Sequence, residues 1–242
     1  MKNYINTTIV AIVILIGVFL ITNTFENRNQ YNDKIIVTGL GKKDFKSDLI
    51  VWKGSFSKKA TELKEAYKRL KEDKTQILNY LNSKGIKSSD VLFEAVNITK
   101  DYEYPYDKEG NQLTIFTGYI LSQEIKIESK EIEKVEAVSR DITDLINDGV
   151  EFTSYVPEYF YTKLSELKIE MIASATEDAR IRAQKMAENA NAEVGDLKSA
   201  QMGIFQIIGQ NSSEDYSWGG TFNTSSKMKT ATITVKLEFG ID

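Results

Sequence analysis

The stretch 172–195 constrains the fold more than any other part of the chain. Ile172, Thr176, Ala179, Ala183, Met186 and Ala190 recur in steps of four and three, the spacing that gathers side chains on one face of an α-helix. These residues are small or apolar, so little side chain holds a neighbouring surface at a distance. Such a helix needs a flat partner lying close. Asp178 precedes Arg182 by four residues, the favourable order for an ion pair along a helix. Gly195 follows, where a left-handed C-cap residue would sit.

The flanking pattern supplies partners. Residues 34–41 and 48–57 read as strands, and 60–84 as an amphipathic helix presenting Leu63, Leu70, Ile77 and Leu81 and ending at Gly85. Strands over 90–99 and 112–127 flank the turn-rich stretch 101–111, which predicts a hairpin with an acidic tip. A helix over 131–147 turns Ile132, Val135, Val138, Ile142 and Leu145 inward and closes at Gly149. The aromatic strand 151–161 contains Pro157, which suggests an edge or a bulge. The 172–195 helix starts near Leu164, and after it come a strand over 199–208 and a Gly/Ser/Asn-rich loop over 209–226. The last strand, 229–239, alternates cleanly. The order ββαββαβαββ predicts an α+β fold of two lobes, each an antiparallel sheet packed with amphipathic helices. The lobes are expected over about 34–129 and 130–242.

Ahead of this folded part an unbroken apolar run covers 9–21, after Lys2, Thr7 and Thr8. It predicts an N-terminal hydrophobic helix within 1–24, in the membrane through residues 7–22, with 25–33 as a polar tether. The flank 22–25 lacks the small-residue pattern of a cleavage site, so an uncleaved signal anchor is expected, with a cleaved signal peptide as the alternative. Lys2 then stays in the cytoplasm and the remainder lies outside it.

With 242 residues, 41% hydrophobic and 27% charged, the chain is long enough to bury a real core. Its net charge of −4 comes from interspersed acids and bases, which excludes the basic footprint of a nucleic-acid binder. It contains no Cys and no His. Disulfides, thiolate nucleophiles and imidazole proton transfer are therefore excluded. No Gly-x-Ser-x-Gly elbow is present either.

Three stretches in this order and spacing resemble the SIMPL-domain family of bacterial envelope proteins. They are the glycine-ended strand 37–41 with Gly39 and Gly41, the run 179–187, and the closing strand 231–239; the resemblance spans 34–239. It implies an exported, periplasmic or membrane-tethered protein of two α+β lobes that assemble into a large ring-like or channel-like homo-oligomer. It also implies a link to envelope or oxidative stress and to immunogenicity, and no catalytic residues to carry over. With the anchor, the expected place is the inner membrane, single-pass, with the C-terminal domain in the periplasm; the alternative is a soluble periplasmic protein. The long 209–226 loop and the anchor depart from the family pattern.

Individual candidates are read alongside plainer explanations. Gly39-Leu-Gly41 lacks the third glycine of a dinucleotide fingerprint, because position 44 is Asp, and reads as a tight turn needing positive φ. Asp101, Glu103, Asp107 and Glu109 do not follow a calcium-loop spacing and read as a solvated tip. Tyr155, Tyr159 and Tyr161 share one strand face, opposite Phe152 and Phe160, and read as core or oligomer interface before a sugar platform. Trp218 stands in a long loop and either touches membrane, neighbour or ligand, or has no fixed place.

The residues together with the resemblance thus lead to the expectation of a non-enzymatic, membrane-tethered protein, and the resemblance implies that it self-assembles and supports envelope integrity or the stress response. It is expected to need no cofactor or metal, and its packing surfaces are expected at Ala179, Ala183, Met186 and the three tyrosines. A ligand-binding module using the 209–226 loop is the alternative, and a carboxylate-based glycan hydrolase a third.

Overall fold

The computed structural model describes residues 14–18, 22, 34–214 and 217–241. Of the apolar run, residues 14–18 are helical, while most of the expected anchor and all of the 25–33 tether lie outside the described residues. Among the described residues no helix is long and apolar enough to cross a membrane.

The elements are β1 (Lys34–Lys46), β2 (Leu49–Ala60), α1 (Leu63–Ser83), β3 (Val91–Phe93), β4 (Asn97–Glu103) and β5 (Ile115–Ser129). They continue with α2 (Ile132–Asp141), β6 (Phe152–Ser154), β7 (Glu158–Phe160), α3 (Leu164–Asn189), β8 (Val194–Met202), β9 (Gln206–Gly209) and β10 (Met228–Ile241). The α+β class holds, with helices on antiparallel sheets. The order is ββαβββαββαβββ, because three expected strands are each broken in two. The 151–161 strand breaks around Pro157, where a ladder donor is missing. The 90–99 stretch breaks at Glu94, whose N–H bonds to Glu124 O while its carbonyl accepts from the Gln123 side chain.

The sheets do not divide the chain at 129/130. The smaller sheet has the order β1–β10–β8, with β9 also on β10; the larger has β3–β5–β2–β6, with β4 on β5 and β7 on β2. Strand β1 pairs along its whole length with β10, from Lys34↔Gly240 to Lys46↔Met228. The first strand therefore belongs with the last third of the chain, and the middle forms the other lobe. Each lobe has its own core, one around Trp52, Phe56, Ile77 and Ile125, the other around Met171, Ala175, Ile233 and Val235. At the junction Glu136 of α2 accepts from the Tyr159 hydroxyl at 2.7 Å and from Lys227 Nζ at 2.9 Å. Asp48 accepts from the Thr162 N–H, also at 2.7 Å.

Helix α3 lies on β1 and β10, but with a different stripe from the expected one. The buried residues are Leu167, Met171, Ala175, Ala179, Ala183 and Ala187, whereas Thr176, Met186 and Ala190 face solvent. A strict step of four follows one ridge of the helix, which is inclined to its axis, so α3 crosses the strands with a single row against them. The glycines of β1 make this contact possible. A Cβ on Gly39 would come 2.0 Å from Ala175 O and 2.5 Å from Ala179 N, and one on Gly41 would come 2.5 Å from Met171 O. Neither glycine has positive φ, so the expected tight turn is replaced by a strand under a helix backbone. Gly195 likewise belongs to β8, and Asn191, at φ 56°, makes the left-handed turn after α3. Gly85, at φ 80°, does close α1, whereas α2 ends at Asp141 and a 3₁₀ segment, Ile142–Asp148, runs on to Gly149, also at φ 80°.

The Asp178–Arg182 pair forms at 2.9 Å, and Asp178 Oδ2 also accepts the Leu40 N–H at 2.8 Å. Asp178 thus caps the free edge of β1, and this bond, then Arg182, holds its carboxyl below the usual range. Stability from this group is present above the unfolded carboxylate pKa and is lost as pH falls through the lower folded value. With a side chain 34% exposed, Asp178→Ala is expected to cost only about 1 kcal/mol in urea unfolding at pH 7, and less towards pH 2. An equal cost at both pH values would refute the charged-acceptor role.

Candidate functional site: a groove under Trp218 and an exposed ribbon

Alternation along β1 and β10 leaves Leu40, Thr232 and Thr234 on the sheet face opposite α3, with Leu40 directly across from Thr234. From the end of β8 the chain crosses over this face, and Gly203 N bonds to Thr234 O at 2.8 Å. Ile204 then forms a wall before Gln206 enters β9 opposite Thr232. Gln206 is buried and works as a clamp: its Nε2 donates to Ser217 O at 2.7 Å and its Oε1 accepts the Thr221 N–H at 2.6 Å. Between these two points Gly220, at φ 89°, closes a turn on Ser217 O. Trp218 sits in that turn with its side chain almost wholly in water, at 95% exposure. Trp218, Leu40, Ile204, Ser217, Thr232 and Thr234 surround an open groove of about 680 Å³. Among the described residues no charged side chain lines it.

The 209–226 loop is pinned to the sheet. Residues 221–223 run parallel to β9, with Ile207 N bonded to Thr221 O and Asn223 N to Ile207 O. Lys229 is 1% exposed, and its Nζ donates to Asn223 O at 2.5 Å and to Asn223 Oδ1 at 3.2 Å. Asn223 Nδ2 in turn donates to Glu214, whose other oxygen accepts the Gly209 N–H at 3.0 Å. Burial pushes the Lys229 ammonium down to about 8, with Glu214 pulling the other way. Tyr216 lies outside the described residues.

The three tyrosines do not form one surface. Tyr155 is exposed, with its hydroxyl 3.0 Å from Ser55 Oγ. Tyr159 is half-buried in the junction, and burial followed by Glu136 pushes its hydroxyl up to about 12. The Tyr161 ring packs 4.8 Å from Phe45. The chain bends at Pro157, so the period of two that would align the rings is broken. Ala179 and Ala183 are buried inside their own subunit, under β1 and β10, while Met186 is exposed.

A second surface had little signal in the sequence. The β2–β5 pairing stops at Ala60↔Tyr119, so β5 residues 115–118 pair with β4 alone and extend as a two-stranded ribbon. Tyr102, Tyr104, Tyr106, Leu113, Ile115 and Phe116 are all exposed on it. Tyr102 and Phe116 meet edge-on at 5.6 Å. At the root Asp101 pairs with Lys59 and accepts from Thr117 Oγ1 at 2.6 Å, and at the tip Asp107 accepts the N–H groups of Glu109 and Asn111, both at 2.9 Å. Asp101 thus ties the ribbon to β2, and Asp107 holds its own turn. The trace in the sequence is the alternation of Tyr102, Tyr104 and Tyr106 inside a stretch otherwise read as turn.

Ser55 and Lys58 share a Ser-x-x-Lys spacing. On a strand such positions point to opposite faces, and Lys58 is engaged 3.1 Å from Asp73 and 2.6 Å from Gly149 O.

Compared with known proteins, residues 35–239 match the SIMPL family model, described as a protein of unknown function (DUF541). The chain belongs to the SIMPL family. Among its relatives, this SIMPL chain is 27% identical over 141 residues to the 26 kDa periplasmic immunogenic protein of Brucella melitensis biotype 1. It is 26% identical over 141 residues to the protein of the same name from Brucella abortus. Each match covers 57% of the SIMPL chain and 56% of the relative, so the chain spans little more than half the length of the curated relatives it matches.

Proposed function

We propose that this SIMPL protein works in the periplasm by association rather than catalysis, assembling with copies of itself in support of envelope integrity or the stress response. The observation that carries the reading is the ribbon. A two-stranded hairpin is marginal in water by itself, and aromatic and aliphatic side chains exposed along it, among them the facing pair Tyr102 and Phe116, mark an interaction surface. Two relatives carry the word periplasmic in their names, which supports the location. The apolar run 9–21 supports a membrane tether through residues 7–22; N-terminal sequencing of the exported chain separates this from a cleaved, soluble form. The test is light scattering of the full-length chain in mild detergent. The expected mass is a discrete multiple of 27.4 kDa that collapses to one copy in Tyr102→Ser/Phe116→Ser while circular dichroism stays unchanged. A wild-type monomer overturns the proposal. A second reading, ligand binding at the 209–226 loop, is favoured by the groove and by the exposed Trp218 on a loop held at Ser217 and Thr221.

A further inference from the structure

We propose that the groove under Trp218 is a binding site for an uncharged oligosaccharide. The inference is independent of self-assembly through the ribbon. Its volume, about 680 Å³, lies in the range of small-molecule sites. Among the described residues the lining has no charged side chain, so an ionised group seated on the floor would lose its hydration with no partner in return. The polar side-chain groups it does offer are the hydroxyls of Thr232 and Thr234, and that of Ser217, which also accepts the Gly219 N–H at 3.3 Å; both amide atoms of Gln206 are already used to hold the loop. An acyl chain over this floor would cover hydroxyls without satisfying them. A pyranose ring meets both demands, since it has an apolar C–H face and a rim of hydroxyls. The Trp218 indole, flat, apolar and 95% exposed, is the surface on which such a face stacks.

The way the loop is held is a second, separate observation. Burying the Lys229 ammonium is unfavourable, and among the described residues its hydrogen bonds go only to Asn223, in the segment that follows Trp218. Two clamps from β9 and β10, Gln206 and Lys229, thus hold the backbone on either side of Trp218, at Ser217, Thr221 and Asn223, before any ligand arrives. Support of this kind is what a preformed site requires.

The experiment uses the full-length chain in phospholipid nanodiscs, which carry no sugar headgroups. Uncharged oligomers of N-acetylglucosamine, glucose linked as in cellulose, and glucose linked as in amylose are titrated by calorimetry and by tryptophan emission. Saturable binding of one of them is expected, weakened about tenfold or more by Trp218→Ala with the melting temperature unchanged. Thr234→Val, which keeps the shape and removes a hydroxyl, is expected to weaken it several-fold. No saturable binding of any of the three overturns the proposal, as does affinity that survives Trp218→Ala. Stronger competition by decanoate or by an extended peptide also overturns it, and would assign the groove to an acyl chain or a polypeptide. Assembly by light scattering is expected to be the same in wild type and Trp218→Ala, so failure of one proposal leaves the other standing.

Discussion

Gly39→Val is expected to unfold the smaller lobe while the larger one stays folded. Even a methyl group at this position would lie 2.0 Å from Ala175 O and 2.8 Å from Ala179 Cβ. The obstructing atoms belong largely to the backbone of α3, so no rotamer change relieves the clash. The helix must lift from the sheet, and Met171, Ala175, Ala179 and Ala183 lose their contact with β1 and β10 together. Overpacking that forces backbone movement costs about 3 kcal/mol or more. Thr38→Val, one residue away on the open face, is the control and is expected to be close to neutral. The two tryptophans separate the lobes: Trp52 is fully buried in the larger core, and Trp218 is already in water. Blue-shifted emission should therefore persist in Gly39→Val at temperatures where the circular dichroism of α3 is lost. A melting curve like that of wild type would sink this account of the helix–sheet contact.

Between pH 8 and about 10.5 the chain is expected to gain roughly 3 kcal/mol from Lys229 alone. In the unfolded chain this lysine keeps its proton up to its ordinary 10.5, whereas in the fold burial lowers that point to about 8. Across this window the unfolded state binds more protons, so stability rises with pH. Below pH 8 the full cost of the buried charge is present. Tyr159 acts in the opposite sense, because its hydroxyl holds its proton up to about 12 and the unfolded chain ionises first. Comparison with Lys229→Met removes that contribution and those of all other shared groups. In urea titrations from pH 7 to 10.5, wild type should gain on the variant by this amount. Parallel pH profiles would mean that the ammonium is not desolvated. The variant leaves Asn223 O without a donor, so at pH 7 it is expected to be no more stable than wild type.

Much of the local structure was legible in the residues. The amphipathic spacing of Leu70, Ile77 and Leu81 and of Val135 and Val138 placed two helices, and Gly85 marked the end of the first; the second leaves the α-helical path at Asp141, short of the expected 147, and only a 3₁₀ segment runs on to Gly149. The Asp178–Arg182 pair follows from a spacing of four; Pro157 signalled an edge or a bulge in 151–161, and the structure breaks the strand there. The phase of the α3 stripe was not legible. Alanines stand at 175, 179, 183, 187 and 190, and also at 173, so several faces are small enough to pack. Only the sheet beneath decides which row is buried. The tyrosines and Met186 were read by period alone, and period does not say what another element covers.

By its own composition and periodicity the chain determined where helical and extended segments lie, their antiparallel class and the absence of thiol and imidazole chemistry. Those properties depend on neighbours within a few residues. The pairing of β1 with β10, the burial of Lys229 and the groove under Trp218 were decided only by the tertiary structure. Each brings together residues far apart in the chain, as Leu40 with Thr234 and Gly39 with Ala175. Glycine at position 39 reads as a turn until a helix backbone is laid across it, and a lysine reads as solvated until a loop closes over it.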